Sequence, residues 1–548
     1  MALQGKIAVF TPEVALDQEL HTYSGGLGVF AGGLFMSAKK MGVPMVGMTM
    51  LPRQGYYDQY IDGDRMGIRY IDRHYPDILE DTGVIVPVPI GSGSKAPEIF
   101  LKVWRLPGER YGSVDIYFLD ADIEQSDPHS RINTMQLYGG GGSWDTEPNT
   151  HRELVHDLLL GRGGMMALDR LEPDISLYHL NESRTAFAAV EYLCRMIRSG
   201  KQFDEAVRET KSKIVFTTHT PIRDGNPKYD LETVANLSGF NGTFTRDYLK
   251  KIGSNPFDMT AACLHLSRKA NAVSKKHGKV AEKLWSWVDG SSPIISVTNG
   301  VNRDFWQVSE FRVASGEEDL HSAKLLYKRK LLNHIRQVTG KCFSELVLTI
   351  VWARRFAAYK RPKLLFHDAI AQWTINQLRS NNIQLVVAGK PHPYDRDRVA
   401  LWNELLAMSR ELPNFAMLPG YELELSKMLK TGADIWLNTP RSSNEACGTS
   451  GMAAAMNGAL NVSTPDGWMW EASPENCFLF GSAIEGAAYT QDWNDACALQ
   501  ECLDDVIAMY RNAKSRWRRK QYAAKLEAER DFTSDRMLRD YQEHLYTE

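Results

Sequence analysis

The stretch LVLTIVWARRFAAYKRP, residues 346–362, contains the pattern that decides the fold: an apolar, β-branched run followed directly by a polar, basic turn. Short apolar runs of this kind are typical of strands that are buried on both faces of a sheet. The pattern recurs downstream in IQLVVAGK (383–390), DIWLNTP (434–440), ALNVSTPDG (459–467) and CFLFG (477–481). Alternation of such strands with helical segments predicts a parallel, doubly wound sheet.

An earlier series of runs repeats the pattern before a polar, helical stretch around residues 320–337. The series consists of KIAVFTP (6–12), PMVGMTML (44–51), ISLYHLN (175–181), KIVFTTHTP (213–221) and PIISVTNG (293–300). A chain of 548 residues is also too long for one hydrophobic core. The two series therefore predict an α/β protein with two Rossmann-like domains.

Composition and charge argue against several classes of partner. Hydrophobic residues make up 43% of the chain and charged residues 24%, and the formal net charge is −3. These values give no electrostatic reason to expect nucleic acid or an anionic membrane as a partner. No apolar stretch approaches the roughly 20 residues that span a bilayer.

The cysteines and the N-terminal residues bear on the cellular compartment. The seven cysteines form no CxxC pair, which argues against a disulfide framework and against a structural zinc site, so no metal is expected. The segment MALQGKIAVFTPEV lacks the features of a secretory signal. We therefore expect a cytoplasmic protein.

Polar residues that directly follow the strand-like runs are the first site candidates. In open parallel sheets the ligand binds beyond the carboxyl ends of the strands. The candidates are His219, Asn299, Arg355, Lys390 and Glu445. Any one of them alone could cap a helix or satisfy loop backbone, but five, divided between two domains, predict a ligand-binding cleft.

Three further stretches have unusual composition. SGGLG (24–28) precedes a helical segment, where glycine amides can bind phosphate, but it lacks the dinucleotide and Walker patterns. ARRFAAYKRP (353–362) has four cations; if they lie at a helix N-terminus they oppose the macrodipole, which favours an anionic ligand there. YGGGGSWDTEPN (138–149) is interpreted as a lid or a disordered surface loop rather than a phosphate cradle.

These motifs and others, in order along the chain, are similar to those of one family. They are TYSGGLGVFAGG, LPRQGYYDQ, HLNESRTAF, VFTTHTP, VTNGV, WARRFAAYKRP, VVAGKPHP, DIWLNTPRSSNEACGTSGM, NGALNVSTPDGW and FTSDRMLRDYQEHLY. The chain resembles the α-glucan phosphorylases, the glycogen and maltodextrin phosphorylase family, in its shorter bacterial and archaeal form. The resemblance implies a GT-B architecture: an N-terminal domain (1–305) with the acceptor side and the glycine loop, a C-terminal domain (306–525) with the donor and phosphate side, and a final helix (526–548) that crosses back.

The family pattern implies roles for individual residues. Arg355 and Lys360 match the pair that holds the reacting phosphate. Hydroxyl groups of the sugar are contacted at the positions of His219, Asn299, Glu445, Cys447, Gly448 and Thr449. Lys390 and the loop Gly25, Gly26, Leu27 and Gly28 complete the implied substrate-binding set, and the loop lies near the phosphate. Fixed cations suit a reacting phosphate, and hydrogen bonds to the sugar suit an oxocarbenium-like transition state.

One departure from the family lies in NEACGTSGMAAAMNG, residues 444–458. In the phosphorylases the residue after the methionine of GTSGM is the lysine that binds pyridoxal phosphate as a Schiff base, but here it is Ala453. Its neighbours Ala454 and Ala455 are equally inert, so we expect no covalently bound pyridoxal phosphate and no other cofactor. Arg184 is a smaller departure, because the short phosphorylases usually have histidine there.

The departures lead to one preferred hypothesis and two alternatives. Retaining GT-B transferases such as bacterial glycogen synthase are similar here, since the glutamate and glycine of their EPCGLTQLYA-like segment match Glu445 and Gly448. The preferred hypothesis is a retaining hexosyltransferase, independent of pyridoxal phosphate, that transfers a glucosyl group from a nucleotide-sugar to an unidentified hydroxyl acceptor. The alternatives are an α-glucan phosphorylase, with an engineered Ala453 or a non-covalent cofactor, and an inactive glucan-binding pseudoenzyme. Each of these three hypotheses is compatible with a homodimer.

Overall fold

The computed structural model describes residues 5–91, 96–138, 149–240, 244–482 and 486–547. It divides the chain into two compact units. The first comprises residues 1–56, 70–297 and 537–548, and the second comprises 57–69 and 298–536. Of the loop predicted at 138–149, positions 139–148 lie outside the described residues, so its role stays a prediction.

The strands, in chain order, are β1 (Lys6–Phe10), β2 (Met45–Met50), β3 (Asp58–Asp62), β4 (Arg65–Arg69), β5 (Glu80–Pro89), β6 (Glu98–Leu106), β7 (Ile116–Asp120), β8 (Ile175–Asn181), β9 (Ile214–Thr218), β10 (Lys228–Tyr229), β11 (Phe257–Asp258), β12 (Lys269–Ala272), β13 (Ile294–Ser296), β14 (Leu348–Ala353), β15 (Ile383–Ala388), β16 (Phe415–Leu418), β17 (Ile435–Asn438), β18 (Leu460–Ser463) and β19 (Phe478–Leu479).

The α-helices are α1 (Gly26–Met41), α2 (Pro128–Arg131), α3 (Asn149–Leu158), α4 (Gly164–Leu171), α5 (Ala186–Arg198), α6 (Phe203–Lys213), α7 (Leu231–Leu237), α8 (Arg246–Gly253), α9 (Met259–Leu266), α10 (Lys275–Leu284), α11 (Arg303–Trp306), α12 (Ser309–Val313), α13 (Glu317–Thr339), α14 (Ala371–Arg379), α15 (Arg396–Glu411), α16 (Leu423–Gly432), α17 (Ser450–Met456), α18 (Ala488–Asn512), α19 (Lys514–Asp531) and α20 (Ser534–Asp540). No helix in the described ranges is both long and apolar enough to cross a bilayer.

The first unit is built on a nine-stranded sheet with the order β13-β12-β9-β8-β1-β2-β7-β6-β5. The strands from β13 to β7 pair in parallel, whereas β6 pairs antiparallel with both β7 and β5. Successive side chains of β9 point to opposite faces of the sheet. Phe216 packs in the core cluster on one face and Val215 in the cluster on the other. Burial on both faces explains why these strands consist of nearly continuous apolar runs.

The second unit is built on a six-stranded parallel sheet with the order β16-β15-β14-β17-β18-β19. In β14, Trp352 packs into one core cluster and Val351 into the other. The long helix α13 precedes this sheet; it begins with three acidic residues and ends at Gly340, which has the left-handed φ of +74°. The mixed α/β class that the sequence predicts is therefore present, with a parallel sheet in the second unit and a mainly parallel sheet in the first.

The division between the units differs from the predicted bounds of 305 and 526. It lies at 297/298, because Thr298 donates to the carboxylate of Glu471 at 2.8 Å within the second unit. The return to the first unit begins at Met537, whose side chain packs in a core cluster of that unit. The hairpin β3–β4 belongs to the second unit, where the amide of Met66 donates to Asn403 at 2.7 Å.

Candidate active site

The basic stretch after β14 is a loop rather than the start of an α-helix. Residues Ala358–Lys360 form a single 3₁₀ turn, so the argument from a helix macrodipole does not apply to these cations. Arg361 has a structural role: it is buried, has a left-handed φ of +49°, and forms an ion pair with Asp495 at 2.7 Å. Arg355 is exposed. The four cations therefore have different environments.

Lys360 and Glu445 form the central contact of the site. The ammonium of Lys360 donates to the carboxylate of Glu445 at 2.6 Å, and both side chains are only 10% exposed. Burial opposes ionisation of Glu445, but the charges of Lys360 and Arg354 outweigh it and lower the pKa of the carboxyl. The structure therefore brings together a fixed carboxylate and a fixed ammonium, which the sequence predicted as sugar and phosphate ligands.

Arg354 is buried beside this pair and has an unused donor. Its guanidinium donates to the carbonyl of Leu437 at 3.1 Å and to the side chain of Asn438, but its Nε has no acceptor in the described part of the chain. Burial lowers the pKa of Arg354, and the charge of Glu445 opposes this effect. A buried donor without an acceptor is costly, so this position favours a bound anion.

Asn299 and Cys447 lie close together in the second unit. The buried thiol of Cys447 contacts the backbone of Asn299, and burial raises its pKa well above the ordinary range. The side-chain oxygen of Asn299 is buried and has no donor among the described residues. This unused acceptor is compatible with the predicted contact to a sugar hydroxyl.

The turn that carries Glu445 depends on glycine. Gly448 has a φ of +87°, and a side chain there would also lie against Glu445, with a Cβ 3.4 Å from its Cγ. Gly467 has a φ of +56°, and a Cβ on it would lie 2.3 Å from the carbonyl oxygen of Cys447. Thr449 then leads into α17. The glycines therefore allow two segments to pass close to each other and fix the position of Glu445.

Lys390 is engaged within the second unit. Its ammonium donates to the carbonyl of Tyr57 at 2.8 Å and to the carboxylate of Glu422 at 2.6 Å. It therefore ties the segment 57–69 to the sheet of that unit. Substrate binding by Lys390 stays a prediction, and the observed contacts give it a structural role.

In the first unit, His219 has a defined hydrogen-bonding state. Its Nε2 lies 2.7 Å from the amide oxygen of Asn181, so Nε2 carries the hydrogen and Nδ1 is left as an acceptor. Burial, with smaller contributions from His277 and His179, lowers the pKa of His219 to about 3. The ring is therefore neutral at pH 7 and suits a hydrogen bond to a hydroxyl group.

Glu182 is a candidate that the sequence analysis missed. It is buried and has the uncommon φ of +76°, and its carboxylate accepts from the amide of His219 at 2.9 Å and the hydroxyl of Thr220 at 3.1 Å. Strained backbone of this kind is concentrated at functional sites. Glu182 directly follows β8, so the rule that selected the other polar residues would have found it.

The glycine loop is occupied by a carboxylate from its own unit. Glu13 accepts from the amide of Ser24 at 2.5 Å and from the amide of Gly28 at 2.8 Å. A phosphate contact at Gly25–Gly28 would therefore have to use amides other than that of Gly28. The predicted loop is present at the start of α1, but its geometry is set by Glu13.

Ala453 lies inside α17 and is 1% exposed. Its carbonyl oxygen accepts from the side chain of Asn457 at 2.8 Å. Because a methyl group offers no amine, residue 453 does not fit covalent attachment of pyridoxal phosphate. Arg184, the other departure, forms ion pairs with Asp157 at 3.3 Å and Glu153 at 3.1 Å, so it belongs to a charged network of the first unit.

Comparisons with known proteins find similarity to carbohydrate phosphorylases and to an uncharacterized protein. A family profile described as carbohydrate phosphorylase matches residues 302–498. An uncharacterized protein from Methanocaldococcus jannaschii is 36% identical over 547 residues, which cover 98% of this chain and 99% of that protein. Glycogen phosphorylase from Mycobacterium tuberculosis is 30% identical, over 100% of this chain and 71% of its own length. Glycogen phosphorylase from Aquifex aeolicus is 28% identical, and the match covers 99% of this chain and 86% of that protein.

Proposed function

Because the chain belongs to the carbohydrate phosphorylase family, we propose that it transfers a glucosyl group between an α-glucan and inorganic phosphate, as an α-glucan phosphorylase that forms glucose 1-phosphate. The supporting observation in the structure is the buried ion pair of Lys360 and Glu445, with Arg354 beside it. The proposal includes the GT-B assignment, since each unit has a largely parallel sheet. Relatives named glycogen phosphorylase and maltodextrin phosphorylase support it.

The proposed reaction gives each side chain a task. Phosphate binds to Lys360 and Arg355, and its acidic oxygen gives a proton to the glycosidic oxygen as the C1–O bond breaks. A phosphate oxygen then bonds to C1 on the same face, so the configuration is retained. Glu445, kept ionised by its neighbours, accepts a hydrogen bond from a sugar hydroxyl. One charged donor to the phosphate, such as Lys360, is worth roughly 10²–10³ in rate.

Pyridoxal phosphate would add a second phosphate beside the first, as the family resemblance implies. Residue 453 does not fit its covalent attachment, and no step of the proposed reaction is assigned to it. The sequence analysis used the expected absence of a covalently bound cofactor as an argument for the nucleotide-sugar hypothesis. That absence stays a prediction.

The second candidate function is the transfer of a glucosyl group from a nucleotide-sugar to a hydroxyl acceptor. Ala453 favours it, because this residue leaves more room than a lysine would and removes the cofactor anchor. The relatives named for an activity are phosphorylases, which favours the first candidate over this one. The order of preference from sequence alone is therefore reversed.

The two candidates differ in the donor that the protein uses. Purified protein is incubated with maltoheptaose and phosphate, with and without added pyridoxal phosphate, and in parallel with UDP-, ADP- or GDP-glucose and maltoheptaose. We expect glucose 1-phosphate in the first set. A ligand at a hundredfold excess over its Kd stabilises the folded state by about 2.7 kcal/mol, so melting temperatures can rank the donors.

Transfer from a nucleotide-glucose, with no phosphorolysis under any condition, would contradict the first candidate and support the second. Glucan binding without either reaction would indicate the pseudoenzyme. The matched control is Lys360→Ala, which should lose phosphorolysis and leave binding of maltoheptaose outside the phosphate site unchanged.

A further inference from the structure

The charged pair of the candidate active site lies on two loops of the second unit. Lys360 is in the loop after β14, and Glu445 is in the loop after β17. The backbones of these loops are joined directly, because the amide of Arg441 donates to the carbonyl of Tyr359 at 2.8 Å. The hydroxyl of Thr439 also donates to the carbonyl of Lys360 at 2.6 Å. The position of Lys360 relative to Glu445 therefore depends on how the two loops are held together.

Arg361, the neighbour of Lys360, holds the second loop through its guanidinium. Its Nε donates to the carbonyl of Thr439 at 2.8 Å, and its Nη2 donates to the carbonyl of Pro440 at 2.9 Å. The remaining nitrogen, Nη1, donates to the carboxylate of Asp492 at 3.1 Å. Asp492 is on helix α18, outside both loops. The guanidinium of Arg361 therefore joins the two loops to a helix that belongs to neither.

Asp492 accepts hydrogen bonds from one arginine of each loop. Arg441 makes a bidentate contact, in which Nε donates to Oδ1 at 2.9 Å and Nη2 donates to Oδ2 at 2.5 Å. Arg361 shares Oδ1. A bidentate contact between arginine and carboxylate fixes orientation as well as distance. Because Leu499 and Leu503 of α18 pack in a core cluster of the unit, Asp492 is a fixed point to which both loops are attached.

The charges of these three residues support the arrangement. Burial opposes ionisation of Asp492, but the hydrogen bonds and charges of Arg441 and Arg361 outweigh it and lower the pKa of the carboxyl. Asp492 in turn raises the pKa of Arg441. The side chain of Asp492 is 19% exposed, so salt screens these contacts less than it would screen contacts at the surface. The carboxylate is therefore charged at neutral pH and paired with both loops.

Asp495, one turn further along α18, also contacts Arg361. Its carboxylate lies 2.7 Å from the guanidinium of Arg361 and accepts from the amide of Ser482 at 3.3 Å. Arg361 would therefore keep one carboxylate if Asp492 were replaced by asparagine, whereas Arg441 would lose its bidentate contact with a carboxylate. Such a replacement weakens the link between the two loops and leaves the buried charge of Arg361 compensated.

We propose that Asp492 is a positioning residue for glucosyl transfer. It acts through Arg361 and Arg441, and it contacts neither the phosphate nor the sugar. Because Lys360 is assigned to the phosphate and Glu445 to the sugar, holding the two loops together aligns the phosphate oxygen with C1 of the sugar. A misplacement of about 1 Å can cost roughly 10² in rate. The inference rests on the proposed phosphorylase function.

The test is a kinetic comparison of Asp492→Asn with Asp505→Asn, which changes an exposed carboxylate of the same helix. Both kcat and KM are measured with phosphate and maltoheptaose. We expect Asp492→Asn to lower kcat by roughly 10–10² and to leave each KM within about threefold of wild type, because each ligand keeps its own contacts. Asp505→Asn should match wild type. An unchanged kcat in Asp492→Asn, with or without a higher KM, would overturn the inference.

Arg441→Gln breaks the same link from the side of the loop, at a side chain that is 26% exposed. It should reproduce the loss in kcat. The double variant with Asp492→Asn should be no slower than the slower single variant, because both changes break one link. Losses that multiply in the double variant would show that the two residues act independently, and they would overturn the inference.

Hydrogen exchange measured by mass spectrometry gives a result that does not depend on activity. In Asp492→Asn, exchange should become faster in the peptides that contain Lys360 and Arg441, and it should stay at the wild-type rate in β14 and β17. Unchanged exchange in both loops, or faster exchange throughout the second unit, would overturn the inference. If the wild-type protein performs no phosphorolysis but exchange rises in the two loops alone, the proposed function fails and the holding of the loops by Asp492 stands.

Discussion

Lys360 and Lys430 are both buried in the second unit, yet their surroundings differ in one decisive respect. Lys360 lies 2.6 Å from the carboxylate of Glu445, whereas the ammonium of Lys430 lies 4.0 and 5.4 Å from the ring centres of Trp306 and Trp436 and donates to a hydroxyl group. A carboxylate stabilises the charged form of a buried lysine, and apolar surroundings favour the neutral form. The comparison shows that two lysines of similar burial can differ in whether a carboxylate lies beside them.

The largest expected effect is a loss in the rate of glucosyl transfer. Arg355→Ala and Lys360→Ala should each lower kcat for glucosyl transfer by roughly 10²–10³, because each removes a charged donor to the phosphate. Steady-state kinetics with maltoheptaose and phosphate measure this effect. Glu411→Gln, an exposed position, is the control. A loss of less than tenfold in both variants would show that the cations do not act on the reacting phosphate.

A second effect, on stability, separates the two cations of the site. Lys360→Ala leaves a buried carboxylate without its partner and should lower the free energy of unfolding by about 3 kcal/mol. Arg355 is exposed, so Arg355→Ala should leave stability within about 0.5 kcal/mol of wild type. Denaturant unfolding measures both.

Neutralising the partner provides the control for this prediction. Glu445→Gln combined with Lys360→Ala should recover most of the lost stability but none of the activity. If the double variant is as unstable as Lys360→Ala, the loss comes from packing rather than from an unpaired charge.

A smaller effect of opposite sign is expected at Lys430. Because burial lowers its pKa in the folded state, the unfolded chain binds more protons at pH 7, and this residue costs stability there. Lys430→Met should therefore raise the free energy of unfolding by about 1 kcal/mol at pH 7. The gain should shrink as pH rises toward the ordinary lysine pKa of about 10.4. A gain that is independent of pH would indicate that Lys430 is charged in the folded protein.

The smallest effect is the pH dependence of the Glu445 contact. The pKa of the Glu445 carboxyl is lowered in the folded state. The contribution of this carboxylate to stability is therefore present above the ordinary carboxyl pKa of about 4.3 and is lost as pH falls through the pKa of the folded protein. The stability difference between wild type and Glu445→Gln should narrow over that range. Glu411→Gln should show no such narrowing, and a difference that grows on acidification would contradict the assignment.

The sequence predicted those features of the fold that depend on local patterns. Apolar runs such as 383–390 predicted the parallel strands, and Glu445, a polar residue that follows one of these runs, lies beside Lys360. The antiparallel strand β6 and the hairpin β3–β4 were missed, because strand direction and docking depend on contacts far apart in sequence.

The same limit applies to the site. Ala453 was evident from the sequence because a motif surrounds it, but Asp492 has no motif and its contact with Arg361 joins positions that are 131 residues apart. The hydrogen bond from the amide of Gly28 to the carboxylate of Glu13 is another contact between separated segments that no local pattern predicts. Residues that act through such contacts have to be found in three dimensions.

The most direct test of the proposed function follows the oxygen atoms of phosphate. Wild-type protein is incubated with maltoheptaose and phosphate labelled with ¹⁸O at every oxygen, and the product is analysed by ³¹P and ¹H nuclear magnetic resonance. The proposed function predicts α-glucose 1-phosphate in which the oxygen between carbon and phosphorus carries the label, because that oxygen comes from phosphate. Absence of glucose 1-phosphate, together with elongation of maltoheptaose by a nucleotide-glucose, would contradict it.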